Sequence, residues 1–333
     1  SDGQVGPIFS HQGMGAMIVF VGFGLWTART HLADVWQRAR TNVRDGREII
    51  SDRNAILGLS IGTCILIGWM SQAGLSIGIA TAVVVAAYVI FLSLTRAIAD
   101  GGLATIVPAM IPVGFTLSAF GTDALGAAGL MALAFTLVWC GDLLTFMMGP
   151  SAHAIRIAHD SDEGRTGPYF GTLLGAMVLS LVVSVTMMIS LGHEHGAANL
   201  HQQYFNTFAK FPASITALKL QNPSPPNTGG FIWTGVGMGV MGLLTLAQYR
   251  FSWWPLHPLG YMVSPAWIMG DLWFPFFVAW ALKSLVIRLG GLRAYDQSRP
   301  ATYGVILGQI VVAGFWLIID LLTGTTDNRI RVY

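Results

Sequence analysis

Arg96 and Asp100 stand four residues apart in an apolar stretch, Leu94-Thr95-Arg96-Ala97-Ile98-Ala99-Asp100-Gly101-Gly102-Leu103. On a helix they share one face, where a guanidinium could hold an anionic group and a carboxylate a cation. Gly101 and Gly102 come next, then Pro108 and Pro112. That order predicts a broken helix, whose exposed amides and carbonyls are ready ligands for ions or peptide-like groups. A salt bridge that simply ends a helix at the membrane edge is the other reading. Asp142, in Trp139-Cys140-Gly141-Asp142-Leu143-Leu144, has no cation near it in sequence. Such a carboxylate pairs with a neighbouring helix or binds a coupling proton or cation. His257 lies between Pro255 and Pro258, and Asp271 and Lys283 flank the same proline-broken region. A hydrogen-bonded packed histidine and a snorkelling lysine are the structural alternatives there. Asp320, near the end of the last apolar run, reads as interfacial.

The remaining histidines, His11, His31, His153, His159, His193, His195 and His201, fall at span ends or in loops. Bis-histidine haem needs inward histidines on facing helices, so no haem or other cofactor is expected. His193, His195 and His201 could bind a metal, or form a solvated histidine-rich loop; their spacing lacks the HExxH pattern of zinc proteases. Neither a serine nucleophile elbow nor a phosphate-binding loop is found, and no enzymatic activity is expected.

What holds these residues is a hydrophobic chain. Only 10% of the 333 residues are charged, against roughly 25% in soluble proteins, and 53% are hydrophobic. So few charges cannot cover a soluble globule, and the fold class expected is an all-α polytopic integral membrane protein. A formal net charge of +2 gives no nucleic-acid footprint. Cys64 and Cys140 both lie in apolar runs, which argues against a disulfide framework. About 20 apolar residues cross a bilayer. Such stretches lie near 12–29, 55–72, 75–96, 103–121, 124–148, 168–191, 230–248 and 302–322, about eight full spans. Residues 251–287 are apolar but carry Pro255, Pro258, Pro265 and Pro275, and read as a re-entrant hairpin or two short crossings.

Arg29, Arg38, Arg40, Arg44, Arg47 and Arg53 make the loop 30–54 the most basic segment. The positive-inside rule places it in the cytoplasm, with the N-terminus of this segment external. Under alternation, all of the 18 Lys and Arg except Lys210, Lys219, Arg329 and Arg331 fall inside. The loop 192–229 is then external, with a short helix expected around 199–211. Trp36, Val43 and Ile50, seven apart, make 31–53 an interfacial helix. Residues 1–333 read as one transmembrane domain in a cell inner membrane. Because the chain opens on Ser1 without a signal peptide, it reads as processed or as part of a longer polypeptide.

The stretch 94–103 resembles the Arg-x-x-(Ala)-Glu-x-Gly element of the oligopeptide transporter superfamily, which includes metal-chelate carriers, with Asp100 where that element has glutamate. The likeness extends loosely through the proline-bearing span and the segment Gly141–Pro150. The block Trp253-Trp254-Pro255-Leu256-His257-Pro258-Leu259-Gly260-Tyr261, continuing to about Arg299, is similar to bacterial members of that group. The resemblance implies a transport unit about twice this length, built from two related halves, with this chain as the C-terminal half. It also implies a mid-membrane substrate path coupled to an ion. Residue by residue it carries over Arg96, Asp100, Gly101 and Gly102, and the Asp-for-Glu exchange bears on the coupling role.

The function expected is therefore an ion-coupled secondary transporter, or half of one, for small peptides or metal chelates. Its partners would be the lipid bilayer, a small-molecule substrate and a coupling ion. The pathway residues would be Arg96, Asp100, Gly101, Gly102, Asp142, His257 and Asp271. The alternative is a non-transporting scaffold subunit of a larger membrane complex, in contact with other membrane subunits or with further copies of itself.

Overall fold

A computed structural model describes residues 6–41, 50–102, 106–141, 146–161, 167–200 and 203–325. Among them there is no strand, and six helices are long and apolar enough to cross a membrane. The protein is an all-α membrane protein. Five of the long helices belong to a first compact unit, Ser1–Trp267, and the sixth to a second, Ile268–Tyr333.

In the first unit, α1 (Pro7–Thr27) and α11 (Thr228–Arg250) form the most extensive helix pair. Small residues allow it. On α11 the buried residues Gly230, Thr234, Gly237 and Met241 repeat every three or four positions, making one face. A Cβ on Gly15 would collide with the Thr234 carbonyl oxygen, and one on Gly237 with that of Gln12. Two backbones in contact gain dispersion energy that larger side chains would prevent, which is how helices associate without a hydrophobic driving force. At one end of this seam His11 Nδ1 lies 3.0 Å from Thr234 Oγ1.

Helices α3 (Asp52–Gln72) and α4 (Ile77–Gly101) form a hairpin. Its turn holds Gly74 at φ 117°, and Ser51 and Ser76 cap the two N-termini by accepting from Asn54 N and Ile79 N. Helix α4 also packs on α1, where Ser93 Oγ donates to Met17 O at 3.3 Å. The basic segment after α1 begins as the helix α2 (Arg29–Thr41), with no buried residue. It is tied to α3 by a 2.7 Å ion pair between Arg38 Nε and Asp52 Oδ2; Val43 of the expected heptad lies outside the described residues.

Two expected spans are not single helices. Within 103–121 the helix is α5 (Pro112–Phe120), nine residues or roughly 13 Å at 1.5 Å per residue, less than half a bilayer core. Pro112 starts it at the position where a missing N–H is harmless, and Pro108 and Pro112 bias the residues before them to extended backbone. Within 124–148 the chain makes α6 (Gly126–Phe135) and the four-residue α7 (Leu137–Cys140). At the junction Thr136 turns its hydroxyl back onto Leu133 O at 2.6 Å. One face of these pieces is buried in protein, with Val113, Leu130 and Cys140 in one cluster with residues of α3, α4 and the turn between them, while Phe135 and Val138 stay exposed; broken helices are tolerated where protein covers them.

Helix α8 (Met148–Ser161) leads to α9 (Gly167–His195), a long apolar helix none of whose membrane-length window is buried. The expected helix at 199–211 is a 3₁₀ turn at Ala197–Asn199, then a π-helical turn at Gln203–Phe208 running into α10 (Ala209–Gln221). Pro212 in α10 cannot donate to the carbonyl four residues back, that of Phe208, the residue that ends the wide turn. The proline-rich loop after α10 is stapled to the last turn of α5 and the turn that follows: Asn227 N donates to Ser118 O at 2.8 Å, and Thr122 N to Ser224 O at 2.9 Å.

The region expected to form a re-entrant hairpin divides differently. Residues 251–268 hold only the short helix α12 (Pro258–Val263) and turns. The second unit is then helical from Met269 to Thr323 (α13), across a kink at Gly291, φ 67° and ψ −170°. Pro275 sits inside that helix, where it removes one hydrogen bond without ending it. Residues 269–290 span roughly 33 Å at 1.5 Å per residue, long enough to cross a bilayer core, and the expected last span 302–322 lies in the second arm of the same element.

Candidate functional site

The C-terminal ends of α1, α4 and α11 meet the start of α12 around a cavity of about 500 Å³. It is lined by Phe20 and Phe23 from α1, Arg96 and Asp100 from α4, Thr245, Gln248 and Tyr249 from α11, and His257 and Pro258 at the start of α12. Three of the residues expected from sequence, Arg96, Asp100 and His257, therefore come together from stretches some 150 residues apart in the chain.

Arg96 is held by three contacts. Its Nε donates to Asp100 Oδ2 at 3.1 Å, its Nη1 donates to Phe20 O at 3.4 Å, and its guanidinium lies 4.4 Å from the centre of the Phe20 ring. A Cβ on Gly24 would collide with Nη1, so glycine there makes room for the cation. The last carbonyls of a helix have no partner within it and carry partial negative charge, which favours a guanidinium among three such ends. Arg96 and Asp100 keep side-chain exposures of 41% and 51%, so both still face the cavity. Gly101 ends α4, and Gly102 adopts the left-handed φ of 63° that terminates it. Together the pair offers a cation and an anion side by side, between Phe20, Phe23 and Tyr249, with amide and hydroxyl groups from Gln248 and Thr245. That composition suits a small molecule carrying both charges.

His257 also caps α12, accepting from Leu259 N on Nδ1 at 3.2 Å, so its ring direction is fixed. Asp271 stands in the first turn of α13, where the helix N-terminus stabilises a carboxylate; it belongs to the second unit. Asp142 and His201 lie outside the described residues. His193 and His195 form the last turn of α9, with His193 Nδ1 2.8 Å from Ile189 O. Among the described residues no group of three or more metal-binding side chains gathers.

His11 corrects the placement of the histidines. Because α1 begins at Pro7, five residues before the expected span, His11 is inside the first helix, 1% exposed, and edge-on to Phe231. His257 is thus not the only histidine in an apolar segment. The proline at N1 of α1 is the signal that marks this start. Gln248 and Tyr249 carry no sequence signal beyond their place in the last turn of an apolar helix.

No curated protein and no solved structure matches the chain. A family model matches residues 2–332, and the chain belongs to that family, DUF6785, whose function is unknown.

Proposed function

We propose that the protein is an ion-coupled secondary transporter, or half of one, for small peptides or metal chelates, and that the Arg96–Asp100–His257 cavity is part of its substrate path. The observation that carries this reading is the convergence of those three residues on one cavity at the ends of three apolar helices. Two features support it. Arg96 and Asp100 can meet the carboxylate and the amine of a zwitterion at once. The broken stretches 106–120 and 126–140 are the discontinuous backbone that transporters place at ion and substrate sites. Likeness of residues 94–103 to the oligopeptide transporter element points the same way. Asp142 remains the proposed titrating site, with Asp271 as a further pathway residue.

In this reading the membrane is a cell inner membrane, the start of α1 is external, and the cavity opens to the cytoplasm, where the basic loops gather. The test is uptake of labelled tripeptides and of metal chelates into proteoliposomes under a proton or sodium gradient. Asp100→Asn should lower uptake at least tenfold, and Asp142→Asn should uncouple it from the gradient. Wild-type uptake by both variants, or none by the wild type for any such compound, refutes the proposal. The absence of buried residues in α9 favours a second reading, a scaffold subunit whose exposed helices are covered by other chains. Stable partner chains co-purifying with a protein inactive in uptake would select it.

A further inference from the structure

A second cavity, about 390 Å³, lies beside the first on the outside of the α1–α11 pair. We infer that it binds one anionic phospholipid, with the phosphate on Arg29 and an acyl chain along Trp26 and Leu246. The groove has the two-part character such a ligand needs. Its walls include Trp26 and Leu246, 66% and 65% exposed, on helices that are apolar enough to cross a membrane. Arg29 lies at its rim, on the first residue of α2. Arg29 is pre-positioned there: Nη1 donates to Trp26 O at 3.0 Å, and the guanidinium lies 4.7 Å from the centre of the Trp26 ring. Among the described residues no carboxylate pairs with it, in contrast to Arg38 and Arg96.

The groove's other polar groups narrow the ligand. The Thr27 and Thr245 hydroxyls donate to Phe23 O and Met241 O, which leaves the Arg29 guanidinium, the Trp26 indole N–H and the Tyr249 hydroxyl as donors. A cation and a hydroxyl donor beside an apolar wall suit a phosphodiester with attached chains; a free phosphate would have no use for the wall. Phe23, Thr245 and Tyr249 line both cavities, and the Phe23 and Tyr249 rings meet edge to face at 5.5 Å. A lipid in the outer groove therefore rests on the wall of the Arg96–Asp100 cavity. The lipid site stands whether or not the transport reading holds.

The test is native mass spectrometry of the full chain in detergent with equal amounts of dioleoyl phosphatidylglycerol and dioleoyl phosphatidylcholine. One basic side chain at an anionic headgroup predicts about fivefold preferential retention of phosphatidylglycerol. Arg29→Gln should remove that preference, whereas Arg40→Gln, an equal charge loss elsewhere on α2, should keep it. Leu246→Trp, at an exposed position that leaves Arg29 untouched, should reduce retention of both lipids by filling the groove. Equal retention of the two lipids by the wild type, unchanged preference in Arg29→Gln, or unchanged retention in Leu246→Trp overturns the assignment. So does displacement of the bound phosphatidylglycerol by millimolar inorganic phosphate, which would mean an anion site without a lipid.

Discussion

Replacing Gly15 by alanine tests whether the α1–α11 contact is set by backbone approach. Two glycines of the same helix make the comparison. A Cβ on Gly15 collides with Thr234 O and comes within 2.9 Å of Met238 N, while one on Gly22 meets nothing within 4 Å. Alanine improves helix propensity at either site by about 0.8–1 kcal/mol, so Gly22→Ala should be neutral or stabilising. At Gly15 the obstructing atoms are backbone and cannot rotate away, so the helices must part by about 1 Å, which forfeits a quarter to a half of each dispersion contact along the seam. Overpacking of this kind costs about 1–3 kcal/mol. Parting also stretches the 3.0 Å bond between His11 and Thr234, a further loss of about 1 kcal/mol. Set against the propensity gain, the expected net destabilisation is about 2 kcal/mol, or a melting temperature lowered by about 3 °C in a chain of this size. The assay is thermal unfolding in one detergent, followed by tryptophan fluorescence, for wild type, Gly15→Ala and Gly22→Ala. If Gly15→Ala melts with or above Gly22→Ala, the close crossing is not what holds the two helices.

Gly24→Ala should push the Arg96 guanidinium off Phe20 and lower ligand affinity or uptake several-fold while leaving melting within a degree or two; loss of activity and stability together would mean a packing role instead. Gly102→Val places a β-branched residue at φ 63° and should cost at least ~1 kcal/mol, read as earlier melting than Gly101→Val, which substitutes the helical residue beside it. Thr234→Val keeps the shape but strips His11 Nδ1 of its partner, so unfolding should come about 1–3 kcal/mol earlier, and Thr234→Ser should restore most of the loss.

Long apolar helices were legible from the sequence because one signal, twenty residues without charge, needs no knowledge of neighbours. Helices α1, α3, α4, α9 and α11 fall within several residues of their expected bounds. The expected spans at 103–121 and 124–148 fail for a common reason. Hydropathy measures whether a segment can leave water, and it is blind to whether the segment does so as a helix. Pro108, Pro112 and the back-bonding Thr136 break the helix without making it less apolar, and the protein around them supplies the burial that lets it break. In 251–287 the difference runs the other way: four prolines suggested a re-entrant hairpin or two short crossings, but Pro275 follows the first helical turn of α13 and costs one bond, whereas Pro255 and Pro265 lie where no helix forms.

The site shows what ionisable residues in apolar runs can and cannot reveal. Arg96 and Asp100 were legible because an i,i+4 pair is local, and its 3.1 Å bond needs no other element. His257 stood out for its type, yet its meeting with that pair depends on α1 and α11 bringing their ends together. That meeting rests in turn on Gly15, Gly24 and Gly237, whose contribution is the absence of a side chain. A glycine that makes room for Arg96 looks the same in sequence as Gly22 or Gly235, which have nothing within 4 Å. Charge names the candidates, and close packing between helices distant in sequence decides which of them share a cavity. His11 makes the same point in reverse: its burial comes from Gly230 and Thr234, more than two hundred residues away. Substitution at Gly24, which faces the Arg96 guanidinium, should therefore reach the cavity although Gly24 does not line it.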